Sequence, residues 1–115
     1  MTSLPPWLTV TSDPVPAAVD GHACRTRAAF FREAARALGF PAYFGHNWDA
    51  FLDSLRDLDR PTLTVALADE LLADEDPGQL AVLLTILSER NVPATFATTP
   101  DRMTALQSRL SAALA

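Results

Sequence analysis

The sequence predicts a single α/β domain with a three-stranded parallel β-sheet packed with α-helices. Strand-like apolar segments alternate with segments whose apolar residues recur at helical spacing. Residues 62–68 and 94–98 are the clearest strands, and the helix between them predicts a right-handed crossover between parallel neighbours. With 115 residues and 49% hydrophobic content, the chain is long enough for one core and too short for two.

Prolines divide the start of the chain into short pieces. Residues 7–11 and 17–20 are two candidate strands, and either can be the first strand of the core sheet. We expect the core to span about residues 17–98, with an N-terminal extension over residues 1–16 and an additional C-terminal helix over residues 101–114.

Two helices are expected before the central strand. The first spans residues 27–38, with Thr26 as its N-cap and Gly39 at its C-terminal end. The second begins after the N-cap Asn47 and ends at about residue 58. Helical spacing places four apolar side chains on its buried face, namely Trp48, Phe51, Leu55 and Leu58.

An acidic stretch follows the central strand. Residues 69–76 are expected to form a short helical turn and then a solvated connector. A long apolar helix over residues 79–90 comes next, and it leads to the strand at residues 94–98. Thr99 and Pro100 then supply the cap and the first-turn proline of the last helix.

Charge and cysteine content restrict the possible partners and the compartment. A net charge of −5 argues against a protein that binds nucleic acid or an anionic membrane, and favours basic protein partners. The lone cysteine, Cys24, has no partner for an internal disulfide and is expected to be a small buried hydrophobe. No signal-peptide pattern or apolar stretch of about 20 residues is present, so we expect a cytoplasmic protein.

The second helix carries three aspartates, Asp49, Asp53 and Asp57, spaced four residues apart. At this spacing like charges lie in one stripe and repel one another by roughly 0.2–0.5 kcal/mol per pair. An ordinary solvated helix face can show the same pattern. Because a surface selected only for stability avoids such repulsion, the stripe indicates a cationic partner.

An aromatic loop precedes these carboxylates. Tyr43 and Phe44 lie in the sequence just before the acidic helix start at Asn47 and Asp49. Apolar anchors beside complementary charge are typical of binding hot spots. The loop and the helix are therefore the candidate partner-binding surface.

Signatures of catalysis are absent from the sequence. It has no Gly-rich phosphate loop, no paired cysteines and no Gly-x-Ser-x-Gly elbow. A small hydrolase would have to use His22, or His46 with Asp49, which lies three residues later. Because a histidine beside a helix start is more commonly solvated or capping, we expect no catalytic residue, no metal and no cofactor.

The segment from Pro41 to Asp53, PAYFGHNWDAFLD, resembles the binding loop and second helix of the barstar family of intracellular ribonuclease inhibitors. A proline, two aromatics, Gly-x-Asn-x-Asp-Ala and a second Asp four residues on carry the resemblance, which extends more weakly over residues 19–98. The resemblance implies a three-stranded parallel sheet with packed helices. It also implies five partner-binding residues, Tyr43, Gly45, Asn47, Asp49 and Asp53, with Asp53 as the main carboxylate.

In that family the loop and helix enter the ribonuclease active site, where carboxylates take the place of RNA phosphates. The resemblance therefore implies an inhibitor or immunity protein that blocks a basic, extracellular-type ribonuclease. From the charge we expect no binding to nucleic acid or membrane, and we expect a monomer rather than a dimer. Phe44 and Leu52 complete the expected surface. Leu52 replaces an exposed tryptophan of the family, and Ile86 replaces an acidic contact. These departures leave open an interaction module for a different partner or for self-association.

Overall fold

The computed structural model describes residues 4–41 and 45–115. Within them, the sheet consists of four parallel strands, β1 (Leu8–Thr11), β2 (Val19–Asp20), β3 (Leu63–Ala66) and β4 (Ala94–Ala97). Their spatial order is β1-β4-β3-β2. The α/β class with a parallel sheet is confirmed. The expected three strands become four, because both candidate N-terminal segments are strands and they occupy opposite edges of the sheet.

Strand β1 pairs with β4 along its whole length, from Leu8 opposite Ala94 to Thr11 opposite Ala97. The Ala94 backbone N–H donates to the Trp7 carbonyl at 2.8 Å, which extends the pairing by one residue. Prolines flank this strand without interrupting it, and an edge position tolerates them. The first residues of the chain thus add a strand to the sheet.

Four α-helices are described, α1 (Arg27–Leu38), α2 (Trp48–Arg56), α3 (Pro77–Glu89) and α4 (Met103–Leu114). Helix α1 has the predicted bounds. Helix α2 is shorter than expected, because Asp57 forms its C-cap. Helix α3 begins two residues earlier than expected, because Asp76 caps it and Pro77 occupies the first turn. None of the described helices is long and apolar enough to span a membrane.

The core lies on one side of the sheet. The strand register places Val10, Phe96, Val65 and Val19 in one row across all four strands. Phe96, Val65 and Val19 are fully buried. The adjacent row, Thr9, Thr95 and Thr64, points to the opposite face, where Thr9 is exposed. Cys24 belongs to the core as expected, and its burial raises the pKa of its thiol to about 11.

The acidic stretch at residues 69–76 differs from the solvated connector that we expected. Leu71 and Leu72 are buried, and the Leu72 backbone N–H donates to the Cys24 carbonyl at 2.8 Å. Glu70 contacts His22 and receives hydrogen bonds from Arg25 and Arg102, each at 2.9 Å. We call these four side chains the Glu70 cluster. Ion pairs from distant arginines, which local sequence does not reveal, hold this stretch on the domain.

A close backbone approach fixes the turn after β2. A Cβ atom added to Gly21 would lie 2.3 Å from the Leu67 carbonyl oxygen and 2.8 Å from that of Ala66. Backbone atoms are not easily displaced, so any side chain at this position separates the turn from the end of β3.

We expect Gly21→Ala to lower the free energy of unfolding by at least about 2 kcal/mol, because overpacking against backbone is costly. Gly78→Ala is the control, since its Cβ would meet nothing closer than an Asp76 carboxylate oxygen at 3.8 Å. Its stability should stay within about 1 kcal/mol of wild type. Urea denaturation measures both, and equal stabilities would show that the turn is not constrained in this way.

The Glu70 cluster predicts a pH-dependent stability. The hydrogen bond with Glu70 raises the pKa of His22 above its usual 6.5, and the same bond lowers the pKa of Glu70 below 4.5. The stabilisation from the histidine is complete below its unfolded pKa and is lost as pH rises through the raised folded value. That from the glutamate is present above its unfolded pKa and is lost as pH falls through the lowered value.

We therefore expect His22→Gln to reduce the free energy of unfolding more at about pH 5.5 than at about pH 8.5. In a Glu70→Gln background the same substitution should lose most of this pH dependence. Chemical denaturation of the four proteins at both pH values gives the comparison. An effect of His22→Gln that is constant with pH would contradict the assignment.

Candidate functional site

Asn47 fixes the start of α2 and the end of the preceding loop. Its side-chain oxygen accepts a hydrogen bond from the Ala50 backbone N–H at 2.8 Å, as expected of an N-cap. Its side-chain amide nitrogen donates to the Gly45 carbonyl at 3.1 Å. One side chain therefore sets the position of the described loop end relative to the helix.

An aromatic cluster holds α2 against α1. We use this name for Phe30, Phe31, Trp48 and Phe51. The Trp48 ring meets the Phe31 ring edge to face, with centroids 4.9 Å apart, and Phe30 and Phe51 lie 5.6 Å apart. Phe30 and Phe51 are fully buried, whereas Trp48 is half-buried. This packing fixes the rotation of α2 and so determines which of its side chains face solvent.

A hydrogen bond joins α2 to α3. The Trp48 indole N–H donates to the Gln79 side-chain oxygen at 2.8 Å. From the sequence we expected Gln79 only to be the first residue of a helix. Its partner is 31 residues away, so no local pattern indicates the contact. Gln79 is therefore a positioning residue that only the structure reveals.

The three aspartates lie on the exposed side of α2 and at its C-cap. Asp49 is in the first helical turn, where the helix dipole favours a negative charge. The Asp53 side chain is 72% exposed, and its nearest arginine nitrogen, on Arg56, is 3.6 Å away. At that distance, and with both groups solvated, the pairing neutralises Asp53 only weakly. Asp57 is exposed as the C-cap.

The structure brings most of the expected site residues together on one surface. Gly45, Asn47, Asp49 and Asp53 are all exposed. Leu52, the other residue expected on this surface, is half-buried and packs against the core. Tyr43 and Phe44 lie outside the described residues, so their part in the surface stays a prediction.

Ile86 does not belong to this surface. It is only 6% exposed and is part of the core cluster. The apolar contact surface that we considered at Leu52 and Ile86 is therefore reduced to Leu52. A half-buried leucine alone provides little apolar area for self-association.

The described side chains of this surface are suited to binding. They include solvated carboxylates and a capping amide, and the helix that carries them is held on two sides. No hydroxyl or thiol nucleophile lies beside a base among these described side chains. His46 is exposed, with a φ of 50°, at the described end of the loop. Across residues 4–41 and 45–115, no three His, Cys, Asp or Glu side chains are close enough to hold a metal ion together.

Comparison with known proteins gives one family. Curated proteins yield no significant match to the chain. A family model described as Barstar (barnase inhibitor) matches residues 15–107, which include β2, β3, β4 and helices α1 to α3. The matched region covers most of the chain and contains the whole acidic helix together with the elements that support it. The chain belongs to the barstar family.

Proposed function

We propose that this protein inhibits a ribonuclease by inserting the acidic face of α2 and the adjoining loop into the enzyme's active site. The observation that carries the proposal is the exposed pair Asp49 and Asp53, one helical turn apart on a helix that is held from two sides. The barstar family model, whose description names an inhibitor of barnase, supports the same function.

Carboxylates in this arrangement can substitute for phosphates. A ribonuclease holds the RNA backbone with cationic side chains, and charge-assisted hydrogen bonds from such groups to carboxylates are about twice as strong as neutral ones. Asp53 is available for these bonds because its own ion pair is long and solvated. Binding therefore exchanges a weak internal contact for stronger external ones.

Rigidity of α2 raises the expected affinity. Ordering an interface side chain or loop costs roughly 0.5–1.5 kcal/mol per immobilised side chain. The aromatic cluster, the Trp48–Gln79 hydrogen bond and the Asn47 cap order the helix before any partner arrives. Less of the interaction energy is then spent on ordering.

The charge of the whole protein favours rapid association. The net charge is −5, and a basic partner is attracted by this field before contact.

The proposal requires no catalytic residue and no cofactor, and one copy of the inhibitor per enzyme is sufficient. It places the inhibitor in the cytoplasm, where it would protect the cell's RNA from a ribonuclease destined for export.

We expect Asp53→Ala to weaken binding to the target ribonuclease by at least about 2 kcal/mol, the size of a hot-spot truncation. Asp13→Ala is the matched control, because Asp13 is also an exposed aspartate, follows β1 and lies outside the α2 surface. The control should change binding by less than about 0.5 kcal/mol. Isothermal titration calorimetry with the target ribonuclease, identified by capture from the host, gives both values. Equal effects of the two substitutions would exclude α2 as the binding surface.

We expect Asp49→Asn to slow association mainly at low ionic strength. The substitution removes one negative charge and keeps the side-chain size, so the loss in association rate should shrink as salt screens the field over about 10 Å or less. Stopped-flow measurements from about 0.02 to 0.5 M salt give the dependence. An association rate of the wild-type protein that does not change with salt would contradict electrostatic steering.

A further inference from the structure

A second surface, at the C-terminal ends of α2 and α3, brings three arginines together. A cavity of about 450 Å³ opens there, and three arginines, Arg56, Arg60 and Arg90, line it. Among the described residues that line it, none is Asp or Glu. The chain has 14 acidic and nine basic residues, so a cavity with three arginines and no carboxylate is contrary to the overall composition.

Most other arginines of this protein are already engaged with acceptors. Four of them form ion pairs with Asp or Glu at distances below 4 Å, namely Arg25, Arg27, Arg36 and Arg102. Arg109 donates hydrogen bonds to two backbone carbonyls. In the part of the chain that the structure describes, Arg60 and Arg90 have no such ion pair. Their guanidinium donors are available to a ligand.

Helix stabilisation accounts for only part of this arrangement. Arg56 lies in the last turn of α2 and Arg90 is the C-cap of α3, where positive charge complements the helix dipole. Arg60 belongs to no helix, and its backbone has a φ of 51°. Interaction with a helix dipole therefore does not explain why Arg60 lies at the cavity.

The rest of the lining is apolar, with two further polar groups. Leu55 is 3% exposed and forms part of the inner wall, and Pro61 and Pro93 line the same cavity. Thr62 and Asn91 add a hydroxyl and an amide. Apolar walls with a few converging polar groups are typical of small-molecule sites, and about 450 Å³ lies in their size range.

We propose that this cavity binds a small organic phosphate, with the phosphate held by the guanidinium groups and the apolar part against Leu55, Pro61 and Pro93. A phosphate ester has three terminal oxygens and up to two negative charges, so it can accept hydrogen bonds from more guanidinium groups than a carboxylate, which has two oxygens and one charge. Arg60 and Arg90 are the main donors, because Arg56 also forms a 3.6 Å pair with Asp53. Asp57, Asp59 and Glu89 adjoin lining residues in the sequence and weaken the long-range field. Recognition therefore depends on direct hydrogen bonds.

The test is a titration of the ¹⁵N-labelled protein with phenyl phosphate at about 0.1 M salt, followed by amide chemical shifts. We expect saturable shifts at residues 55–60, 62 and 90–92, with a dissociation constant of about 10 mM or below. Inorganic phosphate should bind more weakly than phenyl phosphate because it lacks the apolar ring. Benzoate should also bind more weakly, because its carboxylate has only two oxygens to accept hydrogen bonds. Absence of saturable shifts, or equal binding of all three probes, would overturn the proposal.

The matched variants separate this site from general attraction to arginine. Arg60→Gln with Arg90→Gln should weaken phenyl phosphate binding at least about tenfold, since two charge-assisted contacts are lost. Arg32→Gln is the control, because Arg32 is exposed on α1, does not line the cavity and has no ion pair within the described residues. Unchanged binding in the double variant, or an equal loss in the control, would refute the site. Neither result bears on ribonuclease binding by Asp53.

Discussion

Every surface property of α2 depends on how the aromatic cluster seats this helix. Phe51 is fully buried between Phe30 and the half-buried Trp48, and burying one such side chain is worth about 1.5–3 kcal/mol. A helix of nine residues is too short to be stable alone, so this packing decides both whether it forms and how it is rotated. With Phe51 inward, Asp49 and Asp53 are directed to solvent.

The acidic stripe has a cost that capping and packing offset. Each pair of aspartates four residues apart destabilises the helix by a few tenths of a kcal/mol. The Asn47 cap contributes about 1 kcal/mol in the opposite direction, and Asp49 gains from the helix dipole. Packing and capping therefore exceed the repulsion, and the protein can maintain a charge pattern that stability alone would not favour.

Local signals predicted Thr26, Gly39 and Asn47 as caps, but not the Asp76 cap of α3. Thr99, the expected cap of the last helix, makes no side-chain capping hydrogen bond within the described residues, and α4 begins at Met103 after a 3₁₀ turn over Pro100–Arg102. Contacts between distant residues also escaped prediction. Thr26, Gly39 and Asn47 act within a few residues of themselves, so the sequence near each one was sufficient. The Trp48–Gln79 bond and the Glu70 cluster join residues 31 to 48 positions apart. The strand count differed for the same reason: residues 7–11 were a candidate strand, but only pairing with β4 shows that β1 belongs to the sheet and is not part of an N-terminal extension.

Helix α2 contributes to two surfaces although it has only nine residues. Its exposed face carries carboxylates toward the loop, and its last turn contributes Arg56 to the arginine-lined cavity. Arg56 is also the only arginine within 4 Å of Asp53 among the described residues. An anion in the cavity that binds the Arg56 guanidinium would remove its partial neutralisation of Asp53 and strengthen the attraction of Asp53 for a basic partner. Because the pair is solvated, the coupling is limited to the few tenths of a kcal/mol that such pairs contribute.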